Sequence, residues 1–404
     1  MANSNLFNAK RAKNDEFYTQ YGDIQKEIEA YLEYNSDVFR SKVVYCNCDD
    51  PFESNFFRYF VLNFEKLGLK QLITTSYKPS PVANTQLELF SDDKTLTKSK
   101  GRPKVTANKF IINEVHDMDD DGEFNLKDVA KQLKANKHNE WTPLDGDGDF
   151  RSDECVKLLK RSGIVVTNPP FSLFREYVKQ LFDYNKKFVI IGNMNAITYK
   201  EIFPLIKANR LWLGATGNGS DMVFAVPNGS EIAESDRQKA ARLGYVGDYT
   251  RLGNSCWFTN LDHGRRHQPL RLMTRADIIK FSTKKPFEKY DNYNAIEVSL
   301  VKNIPSDYGG VMGVPISFLD KYNPDQFEIL GATQRGCHDE VPDTKKYDDY
   351  WEVRQDGKKT GSSGGKTNEN ANLVGNDGKK NYFINNKGRI IQSAYQRIFI
   401  RHKK

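Results

Sequence analysis

Gly163-Ile164-Val165-Val166-Thr167 runs without a spacer into Asn168-Pro169-Pro170. A short β-branched run with no polar alternation is a strand covered on both faces, as in the parallel sheets of α/β proteins. Two prolines end it, because neither can donate to a ladder. The residues that follow put Phe174, Tyr177, Val178, Leu181 and Phe182 on one helical face. The unit is therefore strand, loop, amphipathic helix, and it recurs. Lys42 to Cys46 is a strand closed by Asp49-Asp50-Pro51, followed by helical spacing from Phe56 to Leu67. Leu69 to Thr75 and Phe110 to Ile112 read as further strands. Alternation resumes at Lys187 to Gly192, Tyr199 to Ala208 and Leu211 to Gly214. This order predicts an α/β fold with a mostly parallel, doubly wound sheet. Ligands bind such sheets at the carboxyl ends of the strands, where both Asp49-Asp50-Pro51 and Asn168-Pro169-Pro170 fall.

Two stretches break the pattern. Residues from about 78 to 144 are polar and read as an insertion between strands. From His263 onward the alternation fades, so the expected division is 1–262 and 263–404. Lys358 to Lys380 is dominated by Gly, Asn, Lys and Ser, a composition that favours loops or disorder until something binds it. No run of about 18 apolar residues is present to span a bilayer, so no membrane association and a cytoplasmic location are expected. Five scattered cysteines argue against a disulfide framework, and Cys46 and Cys48 read as buried thiols near a strand end. The net charge of +7 is modest, but Lys98 to Lys104, Arg265 to His267 and Arg401 to Lys404 form basic islands, which suits a nucleic-acid partner.

Asn168-Pro169-Pro170-Phe171 has the parts needed to activate an exocyclic amine. The Asn side-chain oxygen and the carbonyl of the next proline can both accept from an NH2 group, drawing its lone pair out of ring conjugation. The prolines hold that carbonyl outward and remove competing N–H donors. Phe171 offers a face for a base swung out of its stack. No metal is required, since the chemistry rests on positioning and desolvation.

With these residues in view, the chain resembles the EcoRI-type adenine-specific DNA methyltransferases. Asp15-Glu16-Phe17-Tyr18-Thr19-Gln20 resembles their N-terminal cofactor motif, with Gln20 where proline is usual. Tyr45 to Pro51, with Ser54-Asn55-Phe56-Phe57, is similar to their first cofactor loop and lacks the Gly-rich turn of most methyltransferases. Gly148-Asp149-Phe150-Arg151-Ser152 resembles the motif whose Asp binds the cofactor adenine and whose Phe packs on it. The similarity continues through Ile164 to Tyr177, Tyr199 to Gly214, Tyr290 to Tyr293 and Gly310 to Pro315. The resemblance implies a Rossmann-like fold and transfer of a methyl group from S-adenosylmethionine to N6 of a flipped adenine in duplex DNA. It implies catalysis by Asn168, Pro169, Pro170 and Phe171. Phe17, Tyr18, Thr19, Asp49, Asp50, Pro51, Ser54, Asp149 and Phe150 are the implied cofactor residues. Residues 1–262 would be catalytic and 263–404 would recognise the target, with Arg265, Arg266, Arg389, Arg397 and Arg401 as recognition surface.

The acidic residue that usually ends the second strand is replaced by Thr74-Thr75-Ser76-Tyr77. Phe224 and Trp257 are the two candidates for a second aromatic on the flipped base. Asp117-x-Asp119-x-Asp121-Gly122 with Asp128 approximates a calcium loop, although Asp stands where Glu is required. Lys100-Gly101-Arg102-Pro103-Lys104 resembles an AT-hook core, and Gln86-Leu87-Glu88-Leu89-Phe90 the pentapeptide that docks on a sliding clamp. The resemblance implies a bacterial or phage setting, with either a cognate restriction endonuclease that shares the site without necessarily touching this chain, or a solitary methylase. Rival readings keep the fold and change the substrate to RNA adenine or protein glutamine, or keep DNA binding and lose catalysis. A cytosine-N4 enzyme would carry Ser in place of Asn168.

Overall fold

The structure is a computed structural model that describes residues 18–48, 54–77, 107–118, 124–135, 138–216, 222–226, 232–282, 286–333, 341, 344–394 and 396–403. Phe17, Asp49, Asp50, Pro51, the Gln86 to Phe90 pentapeptide and Lys100 to Lys104 lie outside them. The chain divides into two compact units, Met1–Ala196 with Trp212–Gly264, and Ile197–Leu211 with Arg265–Lys404.

The first unit is built on eight strands. In chain order they are β2 (Val43–Cys46), β3 (Gln71–Thr75), β4 (Asn108–Ile112), β5 (Glu140–Pro143), β6 (Ile164–Thr167), β7 (Lys187–Asn193), β8 (Trp212–Leu213) and β11 (Ser255–Thr259). They lie in the order β5-β4-β3-β2-β6-β7-β11-β8. β3, β2, β6 and β7 are mutually parallel, whereas β4, β5 and β11 join antiparallel. The sheet is thus mixed rather than mostly parallel. The strands inside the sheet are the buried ones, antiparallel β4 and β11 included. β2, β3 and β6 each have at least three fully buried residues, and β5 has none. Part of the expected insertion, β4 and β5, widens the sheet, since Phe110, Ile111 and Ile112 are buried there. The chain leaves β2 towards β3 on one side and later returns to β6 on the other. Their adjacent carboxyl ends form a switch point.

Helix α1 (Tyr21–Tyr34) buries Ile24, Glu27, Ile28 and Tyr31, one stripe at i, i+3, i+4 and i+7. α2 (Asn55–Leu62) is capped by Ser54 and buries Phe56, Phe57, Tyr59, Phe60 and Val61. After the short α3 (Phe64–Leu67) and α4 (Leu126–Ala135) comes α5 (Asp153–Arg161). It opens on the Ser152 cap with Asp153 and Glu154 and ends on Lys160 and Arg161, both favourable to its dipole. α6 (Phe174–Asp183) buries Phe174, Tyr177, Val178 and Leu181. A small sheet pairs β1 (Tyr18–Thr19) with β9 (Val223–Ala225), and β9 with β10 (Tyr249–Arg251).

The second unit holds two sheets. One orders β12 (Ile296–Glu297), β13 (Met312–Pro315), β20 (Arg397–His402) and β14 (Phe327–Ala332). The other orders β16 (Lys359–Ser363), β15 (Tyr350–Val353), β18 (Tyr382–Asn385), β19 (Ile390–Ser393) and β17 (Asn372–Val374). Lys358 to Lys380 is therefore not the loop its composition suggests. β16 pairs with β15, and the buried Asn372 side chain donates to the carbonyls of Thr367 and Asn370. Cross-strand pairing supplied from outside the segment overrides its weak local preference.

Candidate active site

The carboxyl ends of β2 and β6 are tied together at Asn47. The Thr167 hydroxyl donates to the Asn47 backbone carbonyl, and the Tyr177 hydroxyl to its side-chain carbonyl. All four groups are withdrawn from solvent, so neither loop moves without breaking a buried hydrogen bond. Cys48 then adopts φ +58, a left-handed turn made without glycine. It is only partly buried, unlike Cys46, because it belongs to that turn and not to the strand.

At β6 the chain passes from four buried residues to half-buried Asn168, buried Pro169 and half-buried Pro170. The Leu173 N–H closes onto the Pro170 carbonyl at 3.0 Å, starting a 3-10 turn over Phe171–Leu173 that leads into α6. Phe171 packs against the main core with part of its ring exposed.

Tyr18 and Thr19, from the first of the motifs expected to hold a cofactor, come to the amino end of α2. Thr19 is buried, and its backbone carbonyl accepts from the Asn55 side chain at 2.7 Å. Its hydroxyl has no hydrogen-bond partner among the described residues. A buried, unmatched hydroxyl is unfavourable unless a ligand completes it, which fits a group with polar atoms bound between β1 and the carboxyl end of β2. Ser54 serves differently, because its hydroxyl accepts the N–H groups of Phe56 and Phe57 at 3.1 Å as the cap of α2.

The third motif packs on the end of β3. Gly148 has φ +80, and a Cβ there would sit 1.9 Å from the Ser76 carbonyl oxygen, so only glycine lets this loop approach. Phe150 is buried, edge-on to Tyr177 with ring centroids 5.0 Å apart. Asp149 accepts from the Arg151 backbone N–H at 2.8 Å, from Nε at 2.9 Å and from Nη2 at 2.6 Å. Burial works against its charged form, but the Arg151 hydrogen bonds and charge outweigh it and hold the carboxyl below the usual Asp value.

Other expected residues serve the core. Trp257 lies in β11, where all five residues are buried, and packs edge-on against Phe56. Phe224 is fully buried in β9, opposite Thr19. Thr74, Thr75 and Ser76 are buried at the end of β3, with the Thr75 and Tyr45 hydroxyls 2.9 Å apart. Asp119, Asp121 and Gly122 of the calcium-like loop lie outside the described residues, and the Asp128 carboxylate accepts the N–H groups of Met118 and Asn125 at 2.9 Å, closing a turn. No cluster of three metal-binding side chains occurs among the described residues.

The arginines expected to face DNA are engaged within the second unit. Arg397 and Glu297 form a buried ion pair, Arg389 and Lys345 bind Asp291, Arg265 binds Asp320, Arg401 binds Glu328, and Arg266 donates to Asn209. Sequence reasoning missed Asn47, Tyr177, Arg151 and Glu27 as organising residues. Only Glu27 carries a signal, as a carboxylate on an otherwise apolar helical stripe.

The family model for the adenine-specific methyltransferase EcoRI matches residues 5–403. The chain is 46% identical over 329 residues to the Type II methyltransferase M.EcoRI of Escherichia coli, covering 81% of this chain and 89% of that protein. It is 36% identical over 326 residues to the Type II methyltransferase M.MpnI of Mycoplasma pneumoniae (80% and 83%). Identity to the Type II methyltransferase M.MgeORF184P of Mycoplasma genitalium is 34% over 323 residues (80% and 84%). No solved structure matches the chain. A site of this form and a match over nearly the whole length lead to one conclusion: the chain belongs to the EcoRI family of adenine-specific methyltransferases.

Proposed function

We propose that this protein is a site-specific DNA methyltransferase that moves a methyl group from S-adenosylmethionine to N6 of an adenine swung out of duplex DNA. The observation that carries the reading is the convergence of the three motifs. Thr19, the Asn47–Cys48 turn with Asn168, and Asp149–Phe150 all lie by the carboxyl ends of β3, β2 and β6. This arrangement supports a doubly wound, Rossmann-like reading of the sheet, with the cofactor at the switch point.

When bound, S-adenosylmethionine supplies an electrophilic methyl carbon on a sulfonium. The Thr19 hydroxyl, the turn at Cys48 and the Asp149–Phe150 pair would hold it, with Asp49, Asp50, Pro51 and Phe17 completing the set that the resemblance implies. Asn168 Oδ1 and the Pro169 carbonyl accept the two N–H bonds of the target amine, turning its lone pair out of the ring. The Asn47 bridge holds the Asn168 loop beside the loop after β2, so the two loops would need little further ordering when substrate and cofactor bind. Phe171 stacks on the base. The first unit carries this chemistry and the second reads the target, within a restriction-modification pair or as a solitary methylase.

The test is transfer of labelled methyl from S-adenosylmethionine to mixed-sequence duplex DNA, with RNA and cell protein in parallel. N6-methyladenine in DNA is expected. Asn168→Ala should lower turnover by about 100-fold or more while cofactor affinity changes little. Label in RNA or protein would overturn the substrate, and normal turnover by Asn168→Ala would overturn the mechanism.

A further inference from the structure

Asp149 is bound by its neighbour Arg151 in a way that a surface turn does not require. A carboxylate offers about four acceptor positions. The Arg151 backbone N–H and Nε take both on Oδ1, and Nη2 takes one on Oδ2. Among the described residues nothing else donates to that side chain, so one position on Oδ2 remains. The guanidinium is itself anchored, with Nη1 3.0 Å from Glu176 Oε2 on α6 and its carbon 5.2 Å from the centre of the Phe150 ring. Phe150 in turn is locked by Tyr177 and by Gln180 Nε2, which donates to its carbonyl at 3.0 Å. One side chain therefore orients the carboxylate and covers the aromatic ring.

We propose that Arg151 is the positioning residue of the cofactor's adenine pocket, turning Asp149 so that a single Oδ2 acceptor position is left for the exocyclic amine of the adenine. This rests on the reading of Asp149 as a cofactor residue. Arg151 selects for a donor, because the remaining position can only accept. It also decides the charge of the site. Tyr77 just after β3, Asp147 on the same loop and Glu176 on α6 lie around the Asp149–Arg151 pair, and among the described residues Arg151 is the cation that acts on this carboxyl. Without Arg151, burial acts unopposed and favours the protonated carboxyl, which donates where the adenine amine must be accepted.

The experiment is calorimetric binding of S-adenosylhomocysteine, and of its analogue lacking the 6-amino group, to the full chain between about pH 5 and 8. Wild type, Arg151→Met and Arg151→Lys are compared. Wild-type affinity for S-adenosylhomocysteine should be flat across this range. Arg151→Met should bind about tenfold or more weakly at neutral pH and lose further affinity as the pH falls. Its deficit should largely vanish for the analogue without the amine. Arg151→Lys keeps the charge and loses the fork, so it should be intermediate and flat with pH; it carries the test if the Met variant does not fold. Wild-type affinity and pH dependence in both variants, or equal losses for the two ligands, would overturn the proposal. If wild type itself bound no S-adenosylhomocysteine, the cofactor reading would fall and this proposal with it.

Discussion

The hydroxyl of Tyr177 on α6 donates to the side-chain carbonyl of Asn47 on the loop after β2, across 130 residues of chain. Through Asn47 the helix that follows the Asn168–Phe171 loop holds the turn that precedes α2. Tyr177→Phe keeps the ring against Phe150 and removes only the donor. Leaving the buried Asn47 carbonyl unmatched should lower stability by about 1–3 kcal/mol, read from urea unfolding. A wild-type midpoint would mean that the bridge does not join the two loops.

Gly148 and Gly357 both have positive φ, but only the first is crowded. A Cβ at Gly148 meets the Ser76 carbonyl, whereas Gly357 has open space around it. Gly357→Ala should therefore cost only the left-handed conformation, about 1–2 kcal/mol. Gly148→Ala must displace the Asp149–Phe150 loop as well, and should weaken S-adenosylhomocysteine binding in calorimetry. Equal affinities of the two variants would show that the close approach to β3 does not shape the site.

Glu27 is fully buried on α1. Its carboxylate accepts from the Tyr31 hydroxyl, the Ala215 and Thr216 N–H groups and the Thr216 hydroxyl, at 2.6–2.8 Å. It anchors the turn after β8 to the helix that follows β1. Glu27→Gln substitutes an amide NH2 donor for one acceptor oxygen and faces it towards donors, so a loss of about 2–4 kcal/mol is expected by chemical denaturation. Glu33→Gln, on an exposed turn of the same helix, should be neutral. Parity of the two variants would refute the anchor.

Arg397 binds Glu297 through Nε and Nη2, with the Tyr290 hydroxyl on the same carboxylate. Both side chains of the ion pair are only 11% exposed. Arg397→Ala should destabilise the protein by about 3–5 kcal/mol by leaving a buried charge uncompensated. The salt dependence of DNA binding, which counts phosphate contacts, should stay unchanged. A shallower salt slope in a folded variant would return Arg397 to the DNA surface.

Much of this was legible in the residues. Gly163 to Phe182 announces strand, loop and helix because burial, proline and helical periodicity are all local there, and the structure places β6, the 3-10 turn and α6 accordingly. Composition misled where partners are distant. Lys358 to Lys380 contains little that favours a strand, yet β15 and β19 pair with its two ends. Of the five C-terminal arginines, four pair with carboxylates and Arg266 with the Asn209 side chain, partners that a count of charges does not show.

The sequence by itself determined the strand–helix alternation through β2, β3, β6 and β7, the asparagine and prolines that end β6, and the family, because those depend on residue types at short spacing. Only the tertiary structure decided that β4, β5 and β11 join antiparallel, that Asn47 bridges two loops, that Glu27 caps a turn 188 residues away, and that Arg397 is internal. The physical reason is common to all four. Buried polar groups must find partners wherever the fold brings a donor to an acceptor, and that pairing is set by register and burial in three dimensions, which no local period encodes.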